Sequence, residues 1–383
     1  MSDTPGMINR IASSSSSNIS AAWKWIWPRQ GATPISQGLD SEMFDRDDYP
    51  YSETFVREAI QNTLDARLDP SKPVVISFRF HRAALSHRRQ FLEGAITYRK
   101  TANLAIPPEW SAGVIDWLTI EDFNAKGLVG DLKGRMSDFW NYWLNFNVSN
   151  KDGSGRGGRG IGRVTFLIAS RIQAVIGLTR RISDNRMAAC GMCVLKAVDE
   201  PEGLRSTHAY LASAETGSIY QLHDSLRFHS DLRQAFDLDG YENGTGLALV
   251  IPYPHEELTP SGILASAIEH FAPAIVAGSL VVRVNEDVLD EATIDNVAEY
   301  VSHLIHSKPI AEDVKRYLAL IRAGMSPSPI DIDVPVLGKG LVQLRENSAI
   351  KKLQVSSEKG QTVALRISFP MVRNGKADRK SVV

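Results

Sequence analysis

The sequence predicts a soluble α+β protein, and three observations indicate this class. Of the 383 residues, 43% are hydrophobic and 23% are charged, which is ordinary for a globular protein with a sizeable core. Apolar residues at helical spacing recur along the chain, as at 57–66 and 259–277. Short alternating or β-branched runs lie between them, such as 73–80 and 114–122, and these favour strands. Helices and strands are therefore mixed along the whole chain.

Charge and cysteine content narrow the functional classes. The 43 basic residues balance 44 acidic residues, so net charge gives no reason to expect nucleic acid or an anionic membrane as partner. No run approaches the roughly 18 apolar residues of a membrane span, and the N-terminus lacks a signal peptide. We therefore expect a cytoplasmic protein without a membrane partner. Cys190 and Cys193 cannot supply the four ligands of a structural zinc site, and their strand-like surroundings predict core cysteines.

Residues 1–40 form a polar leader that contains one aromatic cluster. The serine run 13–17 predicts disorder. Trp23, Trp25 and Trp27 follow it. Two interpretations stay open: the tryptophans pack back onto the domain, or they belong to an arm that crosses to a partner subunit.

The segment 57–66, REAIQNTLDA, is the helix around which the chain is organised, with Ser52 or Thr54 as its expected cap. At about 100° per residue, Glu58, Asn62 and Asp65 fall within roughly 60° on one stripe. Such a stripe offers a base for water, a hard oxygen ligand for magnesium and a hydrogen-bond acceptor. The alternative is an ordinary amphipathic helix with a solvated polar side.

Beyond this helix we expect a strand at 73–80, an insertion of uncertain structure at 81–112, a strand at 114–122 and an aromatic helix at 136–146. A glycine-rich loop then holds six glycines within 153–162. Such a loop lets backbone approach a ligand, and the helix that follows can receive an anion at its N-terminus.

Two common phosphate motifs do not fit this loop, although it contains a formal GxGxxG. A dinucleotide fold needs the glycines directly after the first strand, and here a long aromatic helix precedes them. A Walker loop needs Lys followed by Ser or Thr, whereas this loop ends Gly162-Arg163-Val164. A flexible linker fits poorly, because a strongly apolar helix follows at once.

The remaining pattern predicts strands and helices in alternation up to residue 284. Strands are expected at 171–179, 187–197, 207–213, 247–254 and 279–284, and helices near 224–236 and 259–277. From about 290, two helical patterns precede short strands, which indicates a second, smaller α/β unit. The ending NGKADRKSVV has no stopping signal, which favours a longer protein.

Four features stand in order: the Glu58–Asp65 stripe, a strand ending at Asp122 and followed by Gly127, the glycine loop, and Gly244-Thr245-Gly246 before a strand. This order resembles the Bergerat-fold ATPases, the GHKL group of gyrase, heat-shock chaperone, histidine kinase and MutL proteins. REAIQNTLDA resembles the family's N-box and GRGGRGIGR its ATP-lid motif. The resemblance spans roughly residues 50–255 and is closest to the heat-shock-chaperone and MORC-like branch.

The resemblance implies a fold and a domain plan. The fold is a two-layer α/β sandwich, with a mixed sheet and helices on one face. The implied domains are a disordered or arm-like leader (1–40), an ATP-binding domain (41–288) with insertions near 81–112 and 195–240, and a partial transducer-like domain (289–383).

The resemblance also implies ATP and Mg²⁺ as cofactors and a role for each matching residue. Glu58 is the expected general base and Asn62 the magnesium ligand. Asp122 is the expected acceptor for the adenine amino group, and Thr245 supports the base-binding end. The other implied nucleotide-binding residues are Asp65, Ala66, Asn124, Gly127, Leu128, Gly158, Arg159, Gly160, Ile161, Gly162 and Arg163.

One departure from the family pattern concerns the turn after Asp122. The family has Asp-x-Gly-x-Gly, whereas this chain reads Asp122-Phe-Asn124-Ala-Lys-Gly127. Asn adopts the left-handed conformation more readily than most residues, so we expect Asn124 to replace a glycine. A purely structural turn carboxylate is the alternative role for Asp122.

The resulting hypothesis is an ATPase that hydrolyses slowly and in which nucleotide closes the lid and promotes a homodimer. The arm candidates are the tryptophan leader and Asp45, Arg46 and Asp47. Histidine kinase is disfavoured because no histidine precedes Glu58. Nothing supports a type II topoisomerase. The alternative hypothesis is a nucleotide-gated binding module with little hydrolysis. A DNA or protein client stays open, and a bacterial defence setting is an association only.

Overall fold

The computed structural model describes residues 22–29, 51–134, 137–143, 162–201, 203–220, 225–239, 241 and 244–325, together with short strands between 330 and 378. The helices of these residues are α1 (Tyr51–Asp65), α2 (Arg89–Thr101), α3 (Pro108–Ser111), α4 (Asp138–Trp143), α5 (Gly162–Ile168), α6 (Leu226–Phe236), α7 (Pro260–Val276), α8 (Ile294–Val301), α9 (Lys308–Glu312) and α10 (Val314–Met325). The strands are β1 (Trp23–Ile26), β2 (Val74–Ala84), β3 (Val114–Phe123), β4 (Ala174–Arg180), β5 (Met187–Val194), β6 (Asp199–Glu200), β7 (Gly203–Leu204), β8 (His208–Ser213), β9 (Gly246–Pro252), β10 (Leu280–Val284), β11 (Asp287–Leu289), β12 (Ile330–Val334), β13 (Gly338–Val342), β14 (Val355–Ser356), β15 (Thr362–Val363), β16 (Met371–Arg373) and β17 (Lys376–Asp378).

One mixed sheet organises the described residues. Its nine strands run in the order β1-β8-β5-β4-β9-β3-β2-β10-β11. Strands β2 and β10 are parallel, and the other neighbouring pairs are antiparallel. The predicted α+β class and the mixed sheet are confirmed.

The first face of the sheet carries the organising helix. Phe55, Val56, Ala59 and Ile60 recur at helical spacing on α1 and are buried against this face, beside α7. Helices α8 and α10 pack on α7 and contribute to the same apolar cluster. The segment from 294 onward, expected to begin a second unit, thus shares this core as far as α10.

The second face is also covered, which differs from the expected helices on one face. Helices α2 and α6 lie there, within the predicted insertions 81–112 and 195–240. The ring of Trp23 stacks on Phe91 of α2 at 4.7 Å, and Trp25 Nε1 donates to the Phe91 carbonyl at 2.8 Å. The insertions bring apolar faces of their own, and burying those faces against the sheet adds a third layer.

The tryptophan segment packs back onto its own domain. Strand β1 pairs antiparallel with β8 at the edge of the sheet, and Trp23, Trp25 and Trp27 are buried. The first of the two interpretations is therefore correct for residues 22–29. The proposed arm residues 45–47 lie outside the described residues.

Two smaller expectations have different outcomes. Cys190 and Cys193 are free and buried in β5, so the prediction of core cysteines is confirmed. Helix α1 begins at Tyr51, so Ser52 and Thr54 lie inside its first turn and the predicted capping role was wrong. Among the described residues, no helix is both long and apolar enough to cross a bilayer.

Candidate functional site

A cavity opens on the first face of the sheet, between α1, β3 and β9, with α4 and α5 beside it. It is small, with a volume of about 30 Å³. Its walls are mostly apolar and carry one amide and one carboxyl group. The lining residues are Ala59, Asn62, Thr63, Ile120, Asp122, Tyr142, Phe166, Leu247 and Leu249.

Helix α1 contributes the amide wall of the cavity. Its apolar stripe fixes the helix against the sheet, which turns Asn62 toward the cavity. Glu58 lies one turn earlier on the same stripe and is half-buried, but it is not among the lining residues. Asp65 accepts a hydrogen bond from Gln61 Nε2 at 3.2 Å, and the Ala66 carbonyl accepts one from Lys126 N at 2.9 Å.

Strand β3 contributes the carboxyl group. Asp122 stands opposite Ile76 in the register with β2 and shares the apolar first face. Its Oδ1 accepts a hydrogen bond from Leu247 N at 2.6 Å, and the residue is only 8% exposed. Burial raises the pKa of Asp122 to about 7, because the charged form loses its hydration. The carboxyl therefore titrates near neutrality at the wall of the cavity.

The Gly-Thr-Gly turn before β9 allows this close contact. A Cβ on Gly246 would lie 2.3 Å from the Asp122 carbonyl oxygen and 2.6 Å from its Oδ1. Only glycine lets β9 approach Asp122 in this way. Thr245 Oγ1 donates to the Ala125 carbonyl at 2.6 Å, and Thr179 Oγ1 donates to the Gly246 carbonyl at 2.8 Å. Thr245 thus holds the turn behind Asp122 and is not a lining residue.

The turn after β3 is hydrogen-bonded to the loop after α1. Asn124 has a φ of 59°, as predicted from its replacement of a glycine. Its Nδ2 donates to the carbonyls of Asp69, Lys72 and Pro73, which places its hydrogen bonds on the loop after α1 rather than in the cavity.

The residues that follow Asn124 are held by β4. Gly127 has a φ of 68°, and a Cβ there would lie 2.3 Å from the Arg180 carbonyl oxygen. Leu128 N donates to Thr179 Oγ1 at 2.9 Å. Both residues fix the position of the turn, and neither lines the cavity.

Most of the glycine loop lies outside the described residues. Gly158, Arg159, Gly160 and Ile161 lie outside the described residues, as does the side chain of Arg163. Helix α5 begins at Gly162, so the last glycine of the loop opens the helix. Tyr51 Oη donates to the Thr165 carbonyl at 2.6 Å, which ties α5 to the start of α1.

The aromatic and apolar lining was not found from the sequence. Tyr142 on α4, Phe166 on α5 and Leu247 on β9 fit the apolar pattern of their elements, and that pattern is the same for core and for ligand contact. Asn62 and Asp122 carried the usable signal, because polar side chains on buried elements require a reason.

The chemistry of the lining suits a flat, mostly apolar ligand with polar edges. The cavity as it stands has room for about one or two water molecules, so its walls must move apart to admit a larger group. Ile120, Leu249 and Phe166 contact such a ligand through dispersion, while the Asp122 carboxyl accepts or donates a hydrogen bond at its edge. The Asn62 amide oxygen is a hard donor of the kind that Mg²⁺ binds, so this wall can supply one of the six ligands of the ion.

Comparisons with known proteins add little beyond the architecture. No protein-family model matches the chain, and no curated protein matches it. Two solved structures that resemble it are of the ATPase region of Saccharomyces cerevisiae topoisomerase II, one of them bound to ICRF-187 (dexrazoxane). The inhibitor-bound structure has 13% identity and a TM-score of 0.34 over 64% of this chain and 51% of its own. The other has the same identity and TM-score over 65% and 52%. The chain thus spans about half the length of these structures, and a likeness at this level carries no argument about activity.

Proposed function

We propose that the cavity binds the adenine of ATP, that Mg²⁺ binds at Asn62, and that the protein hydrolyses ATP slowly. One observation carries the proposal: Asn62 and Asp122, far apart in the chain, line the same cavity. The four ordered sequence features had assigned these two residues to magnesium and to adenine. If the sequence resemblance were accidental, there would be no reason for Asn62 and Asp122 to line one cavity.

The elements around the cavity supply the other roles that ATP binding and hydrolysis require. The Asp122 carboxylate accepts a hydrogen bond from the adenine amino group, and the apolar walls contact the faces of the base. The family resemblance assigns the phosphates to the glycine loop, residues 153–162, whose backbone amides would stabilise negative charge. Residues 153–161 lie outside the described part of the chain. When bound, Mg²⁺ neutralises phosphate charge at Asn62. Glu58, one turn earlier on the same stripe, takes the proton from the attacking water.

We further propose that nucleotide binding promotes a homodimer that acts as a clamp on a DNA or protein client. Support comes from the N-box form, REAIQNTLDA, which resembles that of the heat-shock-chaperone and MORC-like branch. A setting in bacterial defence is part of the same proposal.

Binding is tested by titration calorimetry with ATP and Mg²⁺ on wild type, Asn62→Ala and Asn296→Ala. The control makes the same chemical change at an exposed position of α8. We expect 1:1 binding by wild type and by the control, and an affinity at least tenfold lower for Asn62→Ala. Equal affinities in all three proteins, or no binding by folded wild type, would contradict the proposed site.

Hydrolysis is tested by phosphate release on Glu58→Gln, with Glu312→Gln as the exposed control. We expect turnover to fall about a hundredfold or more in Glu58→Gln with ATP affinity retained, in line with loss of a general base. A wild type that binds ATP and releases no phosphate favours the nucleotide-gated binding module instead. Gel filtration with a non-hydrolysable ATP analogue checks the dimer, and an unchanged size with nucleotide bound counts against it.

A further inference from the structure

A second cluster of ligating side chains lies where α1 packs on α7. Carboxylate oxygens of Glu53 and Glu269 and a ring nitrogen of His270 all lie within 4.8 Å of one another. Glu53 belongs to the first turn of α1, and the other two residues are adjacent on α7. The packing of the two helices therefore brings three potential ligands to one point.

Glu53 is the unusual member of this cluster. It is 2% exposed, and among the described residues neither of its carboxylate oxygens has a hydrogen-bond partner of acceptable geometry. His270 Nε2 lies 2.7 Å from Glu53 Oε1, yet it too makes no properly directed hydrogen bond. Arg57 is 3.7 Å away and partly exposed. A buried carboxylate without directed partners is costly, which indicates that another group belongs there.

We propose that Glu53, Glu269 and His270 bind a divalent transition-metal ion, with zinc as the best fit. Carboxylate oxygen and imidazole nitrogen both ligate zinc, and a water molecule would take the fourth position of a tetrahedron. Zinc–oxygen and zinc–nitrogen distances of about 2.0 Å place donor atoms about 3.3 Å apart. The 2.7 Å contact opens to this separation by a small side-chain rotation.

The surroundings support a metal ion more than a simple ion pair. The Glu269 carboxylate accepts hydrogen bonds from His306 N and Ser307 N, each at 2.9 Å. These bonds hold the group in place, as outer partners do for metal ligands. His270 is about a fifth exposed, which gives an ion a path from solvent.

This site is separate from the proposed nucleotide site. Glu53 and Asn62 are nine positions apart, so they point to nearly opposite sides of α1. A metal ion at Glu53 joins α1 to α7 and thereby stabilises the helix that positions Asn62. Its role is structural, and it does not depend on ATP binding.

The test measures zinc binding by the full chain without nucleotide, after treatment with a chelator. Competition against a chromogenic chelator gives the affinity for wild type, Glu53→Gln, Glu269→Gln and His270→Gln. His303→Gln, an exposed histidine near the same region, is the matched control. We expect 1:1 binding by wild type and by the control, and an affinity at least tenfold weaker in each cluster variant. Three variants at three positions keep the test decisive if one of them fails to fold.

Thermal unfolding supplies an independent readout. Zinc alone raises the Tm of wild type and of His303→Gln in a concentration-dependent way, because it binds the folded state. The cluster variants lose this shift. Absence of 1:1 binding in wild type, or wild-type affinity in all three cluster variants, overturns the proposal and leaves a buried Glu53–His270 ion pair.

Discussion

Two adjacent carboxyl groups on β3 lie on opposite faces of the sheet and have different surroundings. Glu121 and Asp122 are both buried, and burial raises the pKa of each to about 7. Because side chains alternate along a strand, they point to opposite faces of the sheet. Glu121 faces the layer that holds α6, and Asp122 faces the cavity beside α1.

The difference lies in what each carboxylate contacts. Glu121 forms an ion pair with Arg79, and its Oε2 accepts a hydrogen bond from Asp239 N at 3.0 Å. Asp122 receives one backbone N–H, from Leu247, and lines the cavity with the rest of its side chain. Burial and a raised pKa are therefore common to both groups, and only the remaining hydrogen-bonding capacity of Asp122 distinguishes it as the candidate for ligand binding.

Removal of the Arg79 guanidinium should have the largest effect on stability, because Glu121 depends on this partner and Asp122 does not. Arg79→Ala leaves the Glu121 carboxylate buried without its cation, and we expect the free energy of unfolding to fall by about 2 to 3 kcal/mol at pH 8. The loss should be smaller at pH 5. The folded-state pKa of Glu121 lies above its unfolded value, so near pH 5 the folded group is protonated and has little need of Arg79. Urea unfolding at both pH values measures this.

The same strand provides the control for that experiment. Arg82 of β2 pairs with Asp116 of β3 at 3.0 Å, but its side chain is 67% exposed. Arg82→Ala should cost less than about 1 kcal/mol at either pH, since exposed ion pairs contribute little. Equal losses in the two variants would show that the Glu121 pair is no more important than a surface pair.

Replacement of each carboxyl by its amide should distinguish the two groups by their effect on ATP affinity. Asp122→Asn retains an oxygen for Leu247 N but turns an NH₂ group toward the ligand amino group. We expect ATP affinity to fall tenfold or more, or at least about 1.4 kcal/mol. Glu121→Gln should leave affinity unchanged, because its side chain lies on the other face. Titration calorimetry at pH 8 compares the two, and a similar loss in both would contradict the assignment of Asp122 to the ligand.

Most strands and helices followed from periodicity, but helix α2 on the second face did not. Helix α2 was missed within the segment 81–112, whose many arginines and histidines obscure an apolar period. Gly94 lies in the interior of this helix, where glycine is unfavourable. The structure gives the reason for this glycine. A Cβ there would lie 2.8 Å from Cβ of Trp25, so the indole occupies the space of a side chain. A contact between residues so distant in sequence has no local signal.

In the candidate site, too, some features were predicted from the sequence and others depend on tertiary contacts. Helical spacing singled out Asn62, the family resemblance implied the roles of Asn62 and Asp122, and the place of Asn124 in a turn predicted its left-handed conformation. The sequence could not show that Asn124 is engaged by the loop after α1, because that depends on tertiary hydrogen bonds. The cluster of Glu53, Glu269 and His270 was missed for the same reason, since Glu53 and His270 meet only when α1 packs on α7.

The smallest expected effect is a pH dependence of affinity that belongs to Asp122 alone. As pH rises from 6 to 8 the carboxyl ionises, because burial has raised its pKa to about 7. A charged acceptor makes a stronger hydrogen bond to an amino group than a neutral one, so wild-type ATP affinity should rise by up to about fivefold. Asp122→Asn does not titrate at this position and reports the contribution of the ligand's own phosphates, while Glu121→Gln should follow the wild type. If all three proteins show the same pH dependence, Asp122 does not contact the ligand as a carboxylate.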